Sequence, residues 1–260
     1  RAGLTWFKLQ RYMASRTQHF RAATVASEQE RRLLMSVAPD LQRVEVIPNC
    51  LDMAGYAPAG VNRRPYSLIF TGPFRYSANH EALTWFLRDI YPRIRSIQPE
   101  VTLTITGDHA NLPLPTAENV TLTGYVNDVL PLVSSAWCSI APLRTGGGTR
   151  LKILEALALG TPVVATSKGA EGLDVQDGVH VLIADTPESF ASAVLRVMQE
   201  PGLRQLLATN GRELVRSKYS WEHVMPRFLD LVKWAAGKGS DGLKPVYGNG
   251  GKDLTDDVAG

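Results

Sequence analysis

The chain has 260 residues, enough for one large α/β domain or a domain and a half, and its 44% apolar content supports a sizeable core and excludes extended disorder over most of its length. Twenty-eight Lys+Arg against 25 Asp+Glu leave a net charge of +3, too small to make nucleic acid the expected partner. No apolar run is long enough to span a bilayer and the first residues carry no secretory signal, so a soluble cytoplasmic protein is expected; beginning at Arg1, it reads as a fragment.

The first 32 residues are basic, with seven Lys/Arg against two Glu. Leu4, Trp6, Phe7, Lys8, Arg11 and Tyr12 admit two readings: an interfacial helix on the inner face of an acidic membrane, or a helix packed against protein that precedes Arg1. A short strand at Thr24–Ser27, a helix and a second strand at Val44–Ile47 follow, too little for a complete sheet. Three prolines and two glycines between Pro48 and Pro65 mark a linker at 51–65. From Tyr66 the pattern alternates β-branched runs with amphipathic stretches, the mark of βαβ units. Strands are expected at Ser67–Thr71, Val101–Thr106, Val120–Thr123, Cys138–Ala141, Pro162–Thr166 and His180–Ala184. Helices are expected at Asn79–Ile97, Asp128–Ser135, Thr149–Leu159, Pro187–Gln199 and Gly202–Ser217. The expected fold for 66–218 is a Rossmann-like, doubly wound parallel sheet. A last helix, 219–236, could pack on either unit, and 237–260, with seven glycines, reads as a mobile tail.

Chemistry concentrates where a strand end meets three consecutive glycines, Gly146, Gly147 and Gly148, with a helix opening near Thr149. Bare backbone and the free N–H groups of a helix start favour a diphosphate there. Arg144, Arg150 and Lys152 add positive charge, and Glu155 lies where a carboxylate can accept hydrogen bonds from the vicinal hydroxyls of a ribose. A plain strand-to-helix connection with a solvated Glu155 is the competing reading. The loop fits neither a dinucleotide fingerprint nor a P-loop, and no GxSxG elbow occurs. The five histidines share no metal-binding spacing, and Cys50 and Cys138 stand too far apart in sequence to suggest a zinc site or disulfide framework, so no metal is expected. Trp85, Trp137 and Trp221 are read as core or junction residues.

The run GGGTRLKILEALALGTPVVATSKGAEG, residues 146–172, resembles the donor-binding signature of family 4 (group 1) glycosyltransferases of the GT-B fold. Separate segments resemble it in the same order: 24–28 and 46–52 the last strands of an N-terminal domain, 69–74 with Asn79 the first βα unit of a donor domain, and 105–108 and 122–126 strands facing the nucleotide. The resemblance implies that the chain is the C-terminal half of a GT-B fold, with 1–50 a remnant of the acceptor-side domain. It implies that Glu155 binds the donor ribose, that Gly147, Gly148 and Thr149 with Lys152 meet the diphosphate, and that Gly72, Tyr125 and Val126 lie by the nucleotide. The first of two family glutamates, which addresses the transferred sugar, falls here on Gly147, so a backbone amide is expected in its place. Arg75 is the nearest candidate for a basic pair after the first strand, and with Lys152 it is the expected catalytic cation.

The implied function is transfer of a sugar from a nucleotide-diphosphate sugar to a saccharide, lipid or small-molecule acceptor, with retention, without metal or cofactor, and without activity in this chain alone. A non-catalytic nucleotide-sugar-binding module and a GT-B sugar-nucleotide epimerase are the alternatives.

Overall fold

In the computed structural model, residues 2–56, 62–109, 112–148 and 150–237 are described. Thr149, the central part of the expected linker and nearly all of the expected tail lie outside them.

The chain opens with helix α1 (Ala2–Thr17), strand β1 (Ala22–Val25), helix α2 (Glu28–Val37) and strand β2 (Arg43–Val46). β1 and β2 pair in parallel as a two-stranded sheet, and Leu34, Ala38 and Leu41 form a small core beneath it with Met13 and Val44 packed against them. Ser27 caps α2 by accepting from the Glu30 amide, while Glu30 reaches back past the cap and accepts from the Ala26 amide. On α1, Phe7 and Tyr12 are exposed and each lies under an arginine, Arg11 and Arg16.

A six-stranded sheet follows: β3 (Ser67–Thr71), β4 (Thr102–Thr106), β5 (Val120–Gly124), β6 (Cys138–Ala141), β7 (Val163–Ala165) and β8 (Leu182–Ile183). Its order is β5-β4-β3-β6-β7-β8 and every pair is parallel. That is the strand order of a Rossmann sheet, with its topological switch between β3 and β6. All five residues of β3 are buried, as a central strand covered on both faces requires. Leu68 and Phe70 join the core under the helices α3 (Ser77–Trp85), α4 (Tyr91–Ile97) and α7 (Pro187–Gln199), with Phe86, Ile90 and Phe190. Ile69 points the other way, into the core formed by α5 (Leu130–Ser135), α6 (Leu151–Ala158) and α8 (Pro201–Lys218) with Val133, Leu154, Leu157 and Val215. Alternate residues of one strand thus feed opposite layers.

The strands and helices expected from the sequence appear within two residues of their expected ends. One differs internally: between Ser77 and Ile97 the helix contains a π turn at Phe86–Ile90, where the Tyr91 amide donates to Phe86 O. Pro92 has no N–H to return to the preceding turn, and the ladder shifts by one residue to absorb it.

The last helix, α9 (Trp221–Ala235), leaves α8 and reaches the two-stranded unit. Arg43 bonds Asp230 at 2.8 Å, and Arg21 donates to Ala235 O at 3.0 Å with its guanidinium over Trp234. The Leu51 amide donates to Tyr219 O and the Trp221 amide to Leu51 O, a parallel bridge that ties the start of the linker to the start of α9.

Candidate functional site

The ends of β3 and β6 diverge at the switch point, and a cavity of about 510 Å³ opens between them. Its floor is bare backbone. Gly72, at the end of β3, has φ +141°, and a Cβ there would stand 2.8 Å from Asn79 Nδ2 and 3.0 Å from Lys152 Nζ. Gly107, after β4, has φ +118°, and a Cβ would meet Gly72 O at 2.4 Å. Glycine at both places lets two loops and two polar side chains close around one point.

Lys152, in the first turn of α6, donates to Asn79 Oδ1 at 2.8 Å and stands 4.1 Å from the centre of the Phe70 ring. Asn79 is buried and spends its own amide on Pro73 O. Burial, with Arg150 nearby, lowers the Lys152 pKa to about 7, Glu155 opposing the shift. Glu155, one turn further along α6, lines the same cavity, and burial raises its pKa. Tyr56, from the 3₁₀ turn Met53–Tyr56, places its hydroxyl 3.5 Å from Glu155 Oε1; burial pushes the phenol up to about 12, so it remains a donor. Tyr125, exposed, and Val126, half-buried, form the opposite wall.

The glycine loop divides this cavity from a smaller cleft of about 260 Å³ beneath α2, and Gly147 and Arg150 line both. The Tyr76 hydroxyl bonds both backbone groups of Gly147, donating to its O at 3.1 Å and accepting from its N–H at 3.0 Å. Gly146 faces the Tyr76 ring, not the larger cavity, and with φ +89° a Cβ there would overlap the phenol. Gly148 faces the smaller cleft.

Three cations are placed differently from expectation. Arg150 is 4% exposed and its guanidinium donates to Lys168 O at 2.9 Å and, weakly, to Gly146 O and Gly147 O, bracing the loop rather than facing open space. Arg144 turns away to Glu81 and lies over Trp85. Arg75 is exposed, paired with Asp108 at 3.3 Å, and outside the residues that line the cavity. Trp85 is in the core and Trp137 packs between Tyr66 and Arg204, whereas Trp221 is exposed although its backbone forms the junction. Among the described residues no group of three or more His, Cys, Asp or Glu is placed to hold a metal ion, and no helix is long and apolar enough to cross a membrane.

Tyr56, Tyr76 and the bonding of Asn79 to Lys152 were outside the reach of sequence reasoning. Each enters the site from an element more than 70 residues away from its partner, and no local pattern marks it.

Residues 65–200 match the family described as glycosyl transferases group 1. A D-inositol 3-phosphate glycosyltransferase of Nocardioides sp. is 26% identical over 227 residues, covering 75% of this chain and 49% of the relative. The chain thus spans about half the length of the curated relatives it matches. Anabaena HepE, solved with UDP and glucose, superposes with a TM-score of 0.69 at 15% identity, covering 86% of this chain and 66% of that one. The C-terminal domain of a group 1 glycosyl transferase from Francisella tularensis gives a TM-score of 0.51 at 16% identity, covering 65% of this chain and 98% of that domain. With a switch-point cavity, a glycine loop and a family match over more than half its length, the chain belongs to the group 1, family 4 glycosyltransferases, and its fold is the C-terminal half of the GT-B architecture.

Proposed function

We propose that this chain is the donor-binding part of an enzyme that transfers a sugar, with retention, from a nucleotide-diphosphate sugar to an acceptor, and that it is inactive alone. The observation that carries this reading is the convergence of Lys152, Asn79 and Glu155 on bare backbone at the β3–β6 switch point. The nucleobase lies against Tyr125 and Val126, and Glu155 accepts from the ribose hydroxyls. The diphosphate sits by Gly72, Gly147 and the start of α6, where the helix dipole favours negative charge. As the glycosidic bond breaks, charge grows on the departing diphosphate, and the Lys152 ammonium stabilises it in a site screened from water. Arg75, on the rim, meets the phosphates only by leaving Asp108. The UDP complex of the Anabaena protein supports a nucleoside diphosphate as the ligand class.

In this reading residues 1–50 belong to the acceptor-side domain, 51–65 link the two, 66–218 hold the donor, 219–236 form the returning helix, and the acceptor enters above the 260 Å³ cleft. Calorimetric titration with UDP, GDP and ADP tests it. One of them binds, and Lys152→Ala and Glu155→Ala each weaken it tenfold or more; affinity unchanged in both variants rules the site out. The glycine at position 147 favours a second reading, a nucleotide-sugar-binding module without catalysis. A full-length protein that binds donor and neither transfers nor hydrolyses it would establish that alternative.

A further inference from the structure

The absence of a side chain at Gly147 leaves the transferred sugar without the carboxylate that the family resemblance implies. Backbone geometry does not demand glycine there: its φ is not positive, and a Cβ would have no atom within 4 Å. Gly147 and Arg150 are common to both cavities, so a sugar esterified to a diphosphate at Gly147 would stand at the edge of the cleft of about 260 Å³.

Two carboxylates line that cleft, Glu30 and Glu171. Glu30 is committed to its own helix, accepting from the Ala26 amide at 2.8 Å. Glu171 stands on the loop after β7, its side chain one-third exposed. Lys168 hydrogen-bonds its Oε2, Gln29 of α2 lines the same cleft, and Arg150 lies 3.9 Å away. The Lys168 hydrogen bond holds its pKa below the usual glutamate value, so it is an anion at neutral pH. A carboxylate offers about four acceptor directions, more than the Lys168 hydrogen bond uses. Its orientation is therefore fixed while capacity remains for the hydroxyls of a hexose.

We propose that Glu171 is the carboxylate that binds the transferred sugar, supplying from the loop after β7 what the glycine loop no longer carries. Two sugar hydroxyls donate to it, and Lys168 positions it. The inference rests on the nucleotide-sugar reading of the larger cavity. It assigns a sugar-binding and specificity-determining role to a loop that neither the diphosphate nor the nucleoside touches.

The test compares, for this chain, the affinities of UDP, GDP and ADP with those of UDP-glucose, GDP-mannose and ADP-glucose by calorimetry. Glu171→Gln leaves nucleoside diphosphate affinity within twofold and weakens the matching hexose ester tenfold or more. Adding Gly147→Glu to that variant restores most of the lost ester affinity. Should the glutamine variant not fold, Glu171→Asp keeps the charge and the Lys168 pairing and still shows a selective loss for the ester. A ratio of ester to diphosphate affinity that stays within twofold of wild type, or a chain that binds diphosphates and none of the esters, overturns the role of Glu171. A chain that binds no nucleotide of either kind overturns the donor-site reading instead.

Discussion

Lys152 makes donor binding a proton-linked event. In the free chain burial holds its pKa at about 7, so at pH 8 roughly 10% of the chains carry the ammonium. A diphosphate against Nζ restores the charged form and brings the pKa back to at least ~9. Binding at pH 8 therefore takes up ~0.8 proton per ligand, falling to ~0.1 at pH 6. Apparent affinity approaches a tenfold drop per pH unit above 7 and is about 50-fold below its low-pH value by pH 9, or ~2.3 kcal/mol. Titration of the tightest-binding nucleotide-sugar in two buffers of different ionisation enthalpy reads the uptake directly, and a nucleotide-sugar carries no secondary phosphate ionisation to confuse it. Lys152→Met abolishes both the uptake and the pH slope. Fewer than ~0.2 proton taken up at pH 8 would refute the assignment of this ammonium to the diphosphate.

The same residue sets an opposite trend in stability. The unfolded chain keeps the Lys152 proton up to about pH 10.5 and the folded chain releases it near 7, so between those values the unfolded state binds more protons and this group's contribution to stability rises with pH. Below pH 7 its penalty is complete, and Lys152→Met stabilises the free chain at pH 6 by about 1–3 kcal/mol in denaturant melts, after the lost Asn79 hydrogen bond is counted. Glu155→Gln costs ribonucleotides about 10- to 100-fold in calorimetry and costs 2′-deoxynucleotides much less, since a hydrogen bond to a charged acceptor contributes about 1.5–3 kcal/mol. Gly107→Ala destabilises by about 3 kcal/mol through left-handed strain and collision with Gly72 O, whereas Gly147→Ala changes stability by less than about 1 kcal/mol; equal melts would contradict the close-approach argument. A thiol reagent at pH 8 modifies half-buried Cys50 in the folded chain and reaches Cys138, fully buried with its pKa pushed up to about 12, only on unfolding.

Strand positions were legible because burial on both faces leaves short β-branched runs bounded by turn residues, and Lys152 and Glu155 because they share one helix beside a glycine loop. Arginine directions were not legible. Arg144 is adjacent to the loop in sequence, yet its partner Glu81 lies 63 residues earlier, on a helix that packs across the sheet. Arg150 carries a charge that suits a phosphate, but burial obliges it to find carbonyls, and three backbone oxygens absorb it. Glu171 stands within the segment that carries the family signature, but the cleft it lines forms only when α2 is set against the loop after β7.

The chain passes between its two sheets at Leu51 and again at Ser220, and the two passages are hydrogen-bonded to each other. Separation of the two units would break this bridge, whereas rotation about the line from Leu51 to Ser220 preserves it. Gln29 and Glu171 line the cleft from the two sides of this bridge, so a rotation about it would change the distance between them without costing either of its hydrogen bonds. α9 is tied to the two-stranded unit through Arg43 and Asp230, whereas α8 packs on the helices of the six-stranded one.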